Sequence, residues 1–185
     1  VVDAIKDDSK VEFYRFPKNY ALSNTALTDP FVKWTNSKRA CGSSGISVEF
    51  KTNSKNIKVF FTENIVNTQE DNEKLAFGIY KNGVLHDQQT FNNNDVAVSI
   101  LNPSGDFNIW RITLPAIAQV DFTGLEIDAS AILNDFPLDN RKVYVAIGNS
   151  ITQGVGQENA STHLTFPWQV ADSLGFQLYN WGIAG

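Results

Sequence analysis

Hydrophobic and polar residues alternate along much of the first three quarters of the chain. In 45–50 the apolar positions are Ile46, Val48 and Phe50, and the same two-residue period recurs over 56–61. Side chains of a strand point alternately to its two faces, so this period predicts half-buried β-strands. The pattern predicts further strands at 75–81, 84–90, 96–101, 108–114 and 124–127.

Turn residues separate these predicted strands. The dipeptide Asn82-Gly83 suits the positive φ angles of a type I′ turn, so 75–81 and 84–90 should form a hairpin. Polar, turn-rich segments lie at 92–95 and 102–106. Many short strands at regular spacing, with no convincing helix, predict a jelly-roll-like β-sandwich over residues 1–138.

The pattern changes after a polar linker at 138–141. Residues 143–147 are apolar without alternation, which predicts a strand buried on both faces, as in a parallel sheet. A second strand is predicted at 176–180. With a helix between them, residues 139–185 are expected to begin an α/β domain with a βαβ unit.

Residues 166–174 carry the signals of that helix. Pro167 is tolerated in a first turn, and Gly175 suits the left-handed residue that follows a last turn. The apolar residues in this helix recur at three-residue spacing and predict its buried face: Trp168, Ala171 and Leu174.

Composition narrows the class of protein. A hydrophobic content of 42% and a charged content of 19% are ordinary for a globular chain that buries a core. The net charge is −5 and no Lys/Arg cluster offsets it, which argues against nucleic acid as a partner. The apolar runs are too short for a membrane span. Cys41 is the only cysteine, so it forms no internal disulfide and is interpreted as a small buried apolar residue.

The connection 148–164 is the candidate for chemistry, because long loops at the carboxyl ends of parallel strands hold the sites of open α/β sheets. It contains Gly148-Asn149-Ser150-Ile151-Thr152-Gln153-Gly154. A serine directly after a buried strand can point its hydroxyl out of the end of the sheet. The P-loop, dinucleotide-binding and α/β-hydrolase patterns do not fit, because Gln153, Asn159 and Thr152 stand where each requires Gly.

The segment 148–154 resembles block I of the SGNH, or GDSL-type, hydrolases, written Gly-Asp-Ser-Ile/Leu-Ser/Thr followed by a Gly. Residues 180–185, Asn-Trp-Gly-Ile-Ala-Gly, resemble block II, and 166–175 is similar to the first helix of that family. The resemblance covers about 142–185. It implies a flavodoxin-like SGNH domain, of which 139–185 would be the first βαβ portion.

The resemblance also implies roles for individual residues. Ser150 would be the nucleophile, and the backbone N–H groups of Ser150 and Gly185 would form two arms of an oxyanion hole. Gly148 and Asn149 would position the loop. Asn149 stands where the family usually has Asp, so it keeps a carbonyl acceptor but carries no negative charge. No metal ion and no organic cofactor are implied.

The base of the reaction is not identified in this sequence. The block III Asn and the Asp-x-x-His of the family are absent from it, and we expect them beyond Gly185, with further strands and helices that complete the sheet. Val1 is interpreted as the start of a processed or trimmed chain. His86 is interpreted as an exposed strand residue. His163 lies in the candidate loop but not where the family keeps its base, so contact with substrate is left open.

The first part of the chain carries a more diffuse resemblance. Tyr14-Arg15-Phe16-Pro17 and residues 44–54 are similar to the N-terminal sandwich that precedes some bacterial SGNH esterases, as in carbohydrate esterase family two. This implies a secreted or periplasmic serine esterase that deacetylates O-acetylated saccharides through an acyl-Ser150 intermediate. Trp34 and Trp110 are either sugar-stacking platforms or core residues.

The substrate is expected to be a small-molecule or glycan ester. The candidate loop lacks an apolar wall for a long acyl chain, and its polar side chains suit a hydroxyl-rich ligand: Gln153, Gln157, Glu158, Asn159 and Thr162. Two alternatives stay open. One is a carbohydrate-binding protein whose SGNH domain is inactive, and the other is a lipase or thioesterase of the same family.

Overall fold

The computed structural model describes residues 42–65, 75–91, 95–134, 141–157 and 161–184. Several sequence interpretations lie outside the described residues: those made for the segment 14–17, for Trp34, Cys41 and Gly185, for Glu158 and Asn159, and for most of the linker at 138–141.

The described residues between 42 and 134 form antiparallel β-sheets. The strands are β1 (Ser47–Thr52), β2 (Asn56–Ile65), β3 (Leu75–Lys81), β4 (Val84–Phe91), β5 (Asp95–Leu101), β6 (Asn108–Thr113), β7 (Gln119–Ile127) and β8 (Leu133–Asn134). One sheet has the strand order β4-β3-β6-β1-β8 and the other has the order β5-β2-β7. This confirms the β-rich character predicted for the first part of the chain, and β7 begins earlier than predicted.

The two sheets share one hydrophobic core. Along β2, Ile57, Val59 and Phe61 are buried while Lys58 between them is exposed, as the two-residue period predicts. The rings of Phe61 and Phe77, one from each sheet, have centroids 4.9 Å apart. Burying each such side chain contributes roughly 1.5–3 kcal/mol, so this core is the main source of stability in this region.

The predicted hairpin is confirmed. Strands β3 and β4 pair antiparallel and are joined by Asn82, with φ 50°, and Gly83, with φ 83°. The Asn82 side-chain amide donates to Asn108 Oδ1 at 2.8 Å, and its oxygen accepts from Ile109 N at 2.9 Å. The turn is therefore attached to the neighbouring strand β6 as well as closing its own hairpin.

The second part of the chain is the predicted strand–helix–strand unit. Its elements are β9 (Val143–Gly148), the one-turn helix α1 (Ser150–Gln153), a 3₁₀ turn (Thr162–Leu164), α2 (Phe166–Leu174) and β10 (Gln177–Gly182). Strands β9 and β10 pair parallel from Val143 opposite Gln177 to Gly148 opposite Gly182. Both strands therefore end side by side.

Local signals set the ends of α2. The Thr165 hydroxyl accepts from Trp168 N at 3.3 Å, Pro167 occupies the first turn, and Gly175 takes a left-handed φ of 65°. Pro167 and Gly175 are the start and stop signals that the sequence predicted, and the Thr165 cap is an addition from the structure. No helix among the described residues is long and apolar enough to cross a membrane.

The prediction that β9 is buried on both faces is wrong for the described structure. Ala146 is buried, but Val145 is 42% and Ile147 is 77% exposed. Within the described part of the chain β9 pairs only with β10. One face of this two-stranded sheet packs on α2 and Tyr80, and no described element covers the other.

The predicted apolar face of α2 is only partly correct. Trp168 and Ala171 are buried, whereas Leu174 is 57% exposed. An α-helix turns by about 100° per residue, so each three-residue step falls about 60° short of a full turn. After two such steps Leu174 has rotated away from the face that Trp168 occupies.

The βαβ unit packs directly on the antiparallel sheets. Trp168 Nε1 donates to Tyr80 Oη on β3 at 2.9 Å, and this contact is buried. The Arg111 guanidinium on β6 lies 5.8 Å from the centroid of the Trp168 ring, and its Nη1 lies 3.7 Å from Asp172 Oδ1. Burial, which outweighs the opposing hydrogen bond from Trp168, raises the pKa of Tyr80. This phenol thus stays neutral at the interface.

We expect Gly83→Ala to lower the free energy of unfolding by about 1 kcal/mol, because a Cβ is disfavoured at positive φ. Space is not the cause, since a Cβ at Gly83 meets nothing within 4 Å. The control is Gly124→Ala, where φ is not positive and the Cβ would meet Phe60 at an ordinary 3.7 Å. Chemical denaturation measures both variants, and equal losses would contradict the role of the turn.

Candidate active site

Ser150 lies where the predicted site was placed, directly after β9 and at the first position of α1. It is partly buried. Asn149 caps the helix, because its side-chain oxygen accepts from Ile151 N at 3.2 Å and its backbone oxygen accepts from Gln153 N at 3.0 Å. The first amides of a helix have no acceptor within the helix, so the Ser150 N–H is available in principle to an outside acceptor.

Two glycines allow α1 to press against the strand ends. Gly148 and Gly182 are register partners at the ends of β9 and β10. A Cβ at Gly148 would overlap the Thr152 side chain, and one at Gly182 would overlap the backbone of Thr152 and Gln153. Any larger residue at either position would push α1, and Ser150 with it, away from the sheet.

The Asn180 side chain fastens β10 to α1. This buried amide donates to Thr152 O at 2.8 Å and to Ser44 Oγ at 2.7 Å, and its oxygen accepts from Gly182 N at 2.9 Å. Asn180 belongs to the segment that resembles block II, and the motif by itself assigns its side chain no role. The hydrogen-bond partners of this buried amide lie on three segments of the chain. The spacing of residues in the sequence does not show that these segments meet.

Gln153 makes a second connection from α1. It is 1% exposed. Its backbone oxygen accepts from Ser44 Oγ at 2.6 Å, and its Oε1 accepts from Ala184 N at 2.7 Å. Ala184, which follows β10, is therefore held against α1. The next residue, Gly185, lies outside the described residues.

The predicted sugar-facing role of the polar loop residues is wrong for Gln153 and Thr162. Both are buried and bonded to protein groups, with Thr162 Oγ1 accepting from Gly45 N at 3.1 Å. Near Ser150 in the sequence, the exposed side chains are those of Ile147, Asn149 and Ile151, two of which are apolar. Spacing along a loop does not distinguish an exposed polar side chain from one that bonds inside, and this is why the expectation failed.

His163 is buried, which closes the question left open in sequence analysis. It is 4% exposed; Nδ1 lies 2.6 Å from Ser161 Oγ and Nε2 lies 2.9 Å from Gln88 Oε1. Because an amide oxygen only accepts, Nε2 carries the proton and Nδ1 accepts from the Ser161 hydroxyl. Burial lowers the pKa of His163 from 6.5 to about 4, so the ring is neutral near pH 7. Its place is structural, linking the loop to β4.

Burial decides the interpretation of His86 and Trp110. His86 is exposed on β4, as expected, with its ring 5.6 Å from that of Trp110. Trp110 is fully buried in the core between the sheets, so it is a core residue and not a sugar-stacking platform.

A separate cavity of about 330 Å³ lies where the βαβ unit meets β1 and β6. Its wall carries an ion cluster in which Glu49 Oε1 lies 2.6 Å from Arg111 Nε and 3.3 Å from Arg141 Nη2. Burial raises the pKa of Asp172 on the same wall, and Arg111 and Arg141 oppose this shift. Ser150 does not line this cavity, so it is distinct from the predicted site.

No protein-family model matches this sequence. No curated protein matches it either.

Solved structures do match. The salicylyl-acyltransferase SsfX3 from a tetracycline biosynthetic pathway aligns over 97% of this chain and 50% of its own, with TM-score 0.75 and 18% identity. A GDSL-like lipase from Bacteroides ovatus aligns over 90% and 48%, with TM-score 0.64 and 18% identity. A family two carbohydrate esterase from Clostridium thermocellum, in complex with cellohexaose, aligns over 95% and 51%, with TM-score 0.62 and 17% identity.

These similarities concern the fold. They bear out the resemblance of this chain to SGNH, or GDSL-type, hydrolases that was inferred from its motifs. The chain spans about half the length of each of these solved structures.

We expect the folded protein to lose stability as pH falls from about 6.5 to about 4, in part through His163. The unfolded chain binds a proton on this imidazole in that window and the folded chain does not, so protonation favours unfolding. His163→Gln should flatten this part of the profile. Urea denaturation across pH measures the difference, and parallel profiles for wild type and His163→Gln would contradict the assignment.

Proposed function

We propose that the protein is a serine ester hydrolase of the SGNH type, with Ser150 as its nucleophile. The observation that carries the proposal is the placement of Ser150: it begins a capped helical turn at the carboxyl end of β9, and that turn is locked to the end of β10 by Asn180. The fold likeness to structures named as a GDSL-like lipase and a carbohydrate esterase supports it.

In this mechanism the Ser150 hydroxyl attacks the ester carbonyl carbon while a base takes its proton. The tetrahedral oxyanion collapses, the alcohol leaves with a proton, and an acyl-Ser150 ester remains. Water then attacks that ester and releases the carboxylic acid. By the resemblance, the base would be the histidine of an Asp-x-x-His, a motif that this sequence does not contain. His163 is unsuited to that task, because both its nitrogens are engaged inside the protein.

The oxyanion would be stabilised by the backbone amides of Ser150 and Gly185. Preset donors of this kind are worth about 3 kcal/mol each, and they must be held still. The amide of Ala184 donates to Gln153 Oε1, which holds the residue before Gly185 against α1. The proposed donors thus belong to two segments that the buried amides of Gln153 and Asn180 connect.

We place this site in a two-domain architecture. Residues 1–138 would be a jelly-roll-like β-sandwich, in agreement with the two antiparallel sheets over one core. Residues 139–185 would be the first βαβ portion of a flavodoxin-like SGNH domain. The bare face of Val145 and Ile147 agrees with further elements packing there in the whole protein. A secreted or periplasmic location remains part of the proposal.

For the substrate we propose an O-acetylated saccharide, by analogy with the family two carbohydrate esterase that was solved with cellohexaose. One observation favours a second candidate, an acyl ester with a longer chain. Ile151, the residue after the proposed nucleophile, is 68% exposed, and two of the polar loop side chains face inward. Apolar surface of this kind suits an acyl chain better than a hydroxyl-rich ring.

Ser150→Ala in the full-length protein should abolish ester hydrolysis and leave the fold intact, because the other hydroxyl of this turn, that of Thr152, belongs to a buried side chain packed against Gly148. A serine-directed phosphonate should label Ser150 stoichiometrically, as read by peptide mass spectrometry. Ser173→Ala is the matched control, since Ser173 is exposed on α2 and bonds only within its own helix to Val170 O. Full activity in Ser150→Ala would remove Ser150 from the mechanism.

Asn149→Asp should retain kcat/KM within about tenfold, or ~1.4 kcal/mol of barrier, because Asp caps a helix as well as Asn does. Asn149→Ala should lose more, since it removes the oxygen that accepts from Ile151 N. If Asn149→Asp loses several orders of magnitude with its fold preserved, a neutral side chain is required here and the bracing role is incorrect.

A chain-length series of nitrophenyl esters, measured beside acetylated xylan, separates the two substrate candidates. Acetyl esterase activity predicts a higher kcat/KM on acetyl than on octanoyl esters and release of acetate from the glycan. The opposite order, with no acetate released, would replace the saccharide proposal with the lipase or thioesterase alternative.

A further inference from the structure

Residues 43–45, here called the 43–45 segment, run from the antiparallel sheets into the βαβ unit. Ser43 N donates to Ala118 O at 2.9 Å, which anchors the segment beside β7. One residue later, Ser44 is fully buried between α1 and β10. The segment therefore connects the first part of the chain to the site that carries Ser150.

We propose that Ser44 is a positioning residue for the nucleophile turn, so that the β-rich part of the chain completes the active site as well as preceding it. The inference rests on the proposed function of Ser150. It adds a residue from outside the SGNH-like segment, about a hundred positions before the nucleophile in the sequence.

The Ser44 hydroxyl bridges α1 and β10. Ser44 Oγ donates to Gln153 O at 2.6 Å and accepts from Asn180 Nδ2 at 2.7 Å. Gln153 is the last residue of α1, and the final carbonyls of a helix have no donor within the helix. Ser44 supplies such a donor, while its acceptor function orients the amide that holds Thr152 and Gly182.

The backbone around Ser44 is shaped for this contact. Gly45 has φ +86°, and a Cβ there would lie 2.7 Å from Asn180 Cβ. Gly45 N also donates to Thr162 Oγ1 at 3.1 Å, in the 3₁₀ turn that precedes α2. The segment thus passes against β10 with no room for a side chain at the next position, and Ser44 has little freedom to move away.

Loss of the hydroxyl has a specific consequence. In Ser44→Ala the Gln153 carbonyl loses its buried donor and Asn180 loses one acceptor, which weakens the attachment of α1 to β10 while the Asn180–Thr152 and Gln153–Ala184 hydrogen bonds remain. Ser150, the proposed nucleophile, lies at the start of α1. Displacement of a catalytic group by about 1 Å costs about a hundredfold in rate, even when binding is unaffected.

The test compares Ser44→Ala with Ser47→Ala in the full-length protein. Ser47 is the matched control, because its only described side-chain hydrogen bond is a long one to Glu49 Oε1 at 3.5 Å and none joins it to α1 or β10. We expect Ser44→Ala to lower kcat on nitrophenyl acetate by about ten- to a hundredfold with KM within about twofold. Phosphonate labelling of Ser150 should slow in parallel, and Ser47→Ala should match wild type.

Hydrogen exchange supplies a readout that does not depend on activity. The amides of Gly154 and Val155 donate to Ser150 O, and that of Ala184 donates to Gln153 Oε1. Ser44→Ala should speed exchange at these amides and Ser47→Ala should not. Unchanged exchange in Ser44→Ala overturns the positioning role, whatever the activity of the wild type. A wild type that neither hydrolyses esters nor is labelled at Ser150 contradicts the proposed function instead.

A graded variant keeps the test decisive if Ser44→Ala does not fold. Ser44→Cys retains a weak S–H donor of similar size, so its loss in kcat should lie between those of wild type and Ser44→Ala. A folded Ser44→Cys with wild-type kcat, KM and exchange would overturn the proposal.

Discussion

The contact between α1 and the paired ends of β9 and β10 is the constraint on which the candidate site depends. Gly148 and Gly182 leave room for the helix, and the buried Asn180 amide fastens it there through Thr152 O. A buried amide left without hydrogen-bond partners costs about 1–3 kcal/mol. Arrangements in which α1 moves away from the strand ends are therefore less stable than the observed one. The placement of Ser150 follows from that single arrangement.

The β-rich region contacts the βαβ unit in two places. Trp168 packs on Tyr80 and lies beside Arg111, which joins α2 to β3 and β6 through a buried ring and a charged group. Closer to the nucleophile, Ser44 enters the polar network itself. Rigid contacts of both kinds fix the orientation of the βαβ unit on the sheets.

The chemistry around Ser150 is only partly contained in the described residues. They hold the proposed nucleophile, while His163 is turned into the protein as a neutral structural imidazole. Ile151, the residue after Ser150, is exposed and apolar. Gln153 and Thr162, whose polar side chains suggested a sugar-binding rim, are instead buried and form hydrogen bonds inside the protein.

From the sequence alone, the features encoded within a few residues could be predicted: the strand alternation around Val59, the Asn82-Gly83 turn, the ends of α2 and the serine that follows β9. Such signals depend on local backbone preferences and on side-chain direction along one element. Only the tertiary structure decided that Gln153 and His163 are buried, that Ile147 is exposed and that Ser44 reaches α1. Burial and pairing of a polar side chain depend on which distant segments pack against it, and no local pattern carries that information.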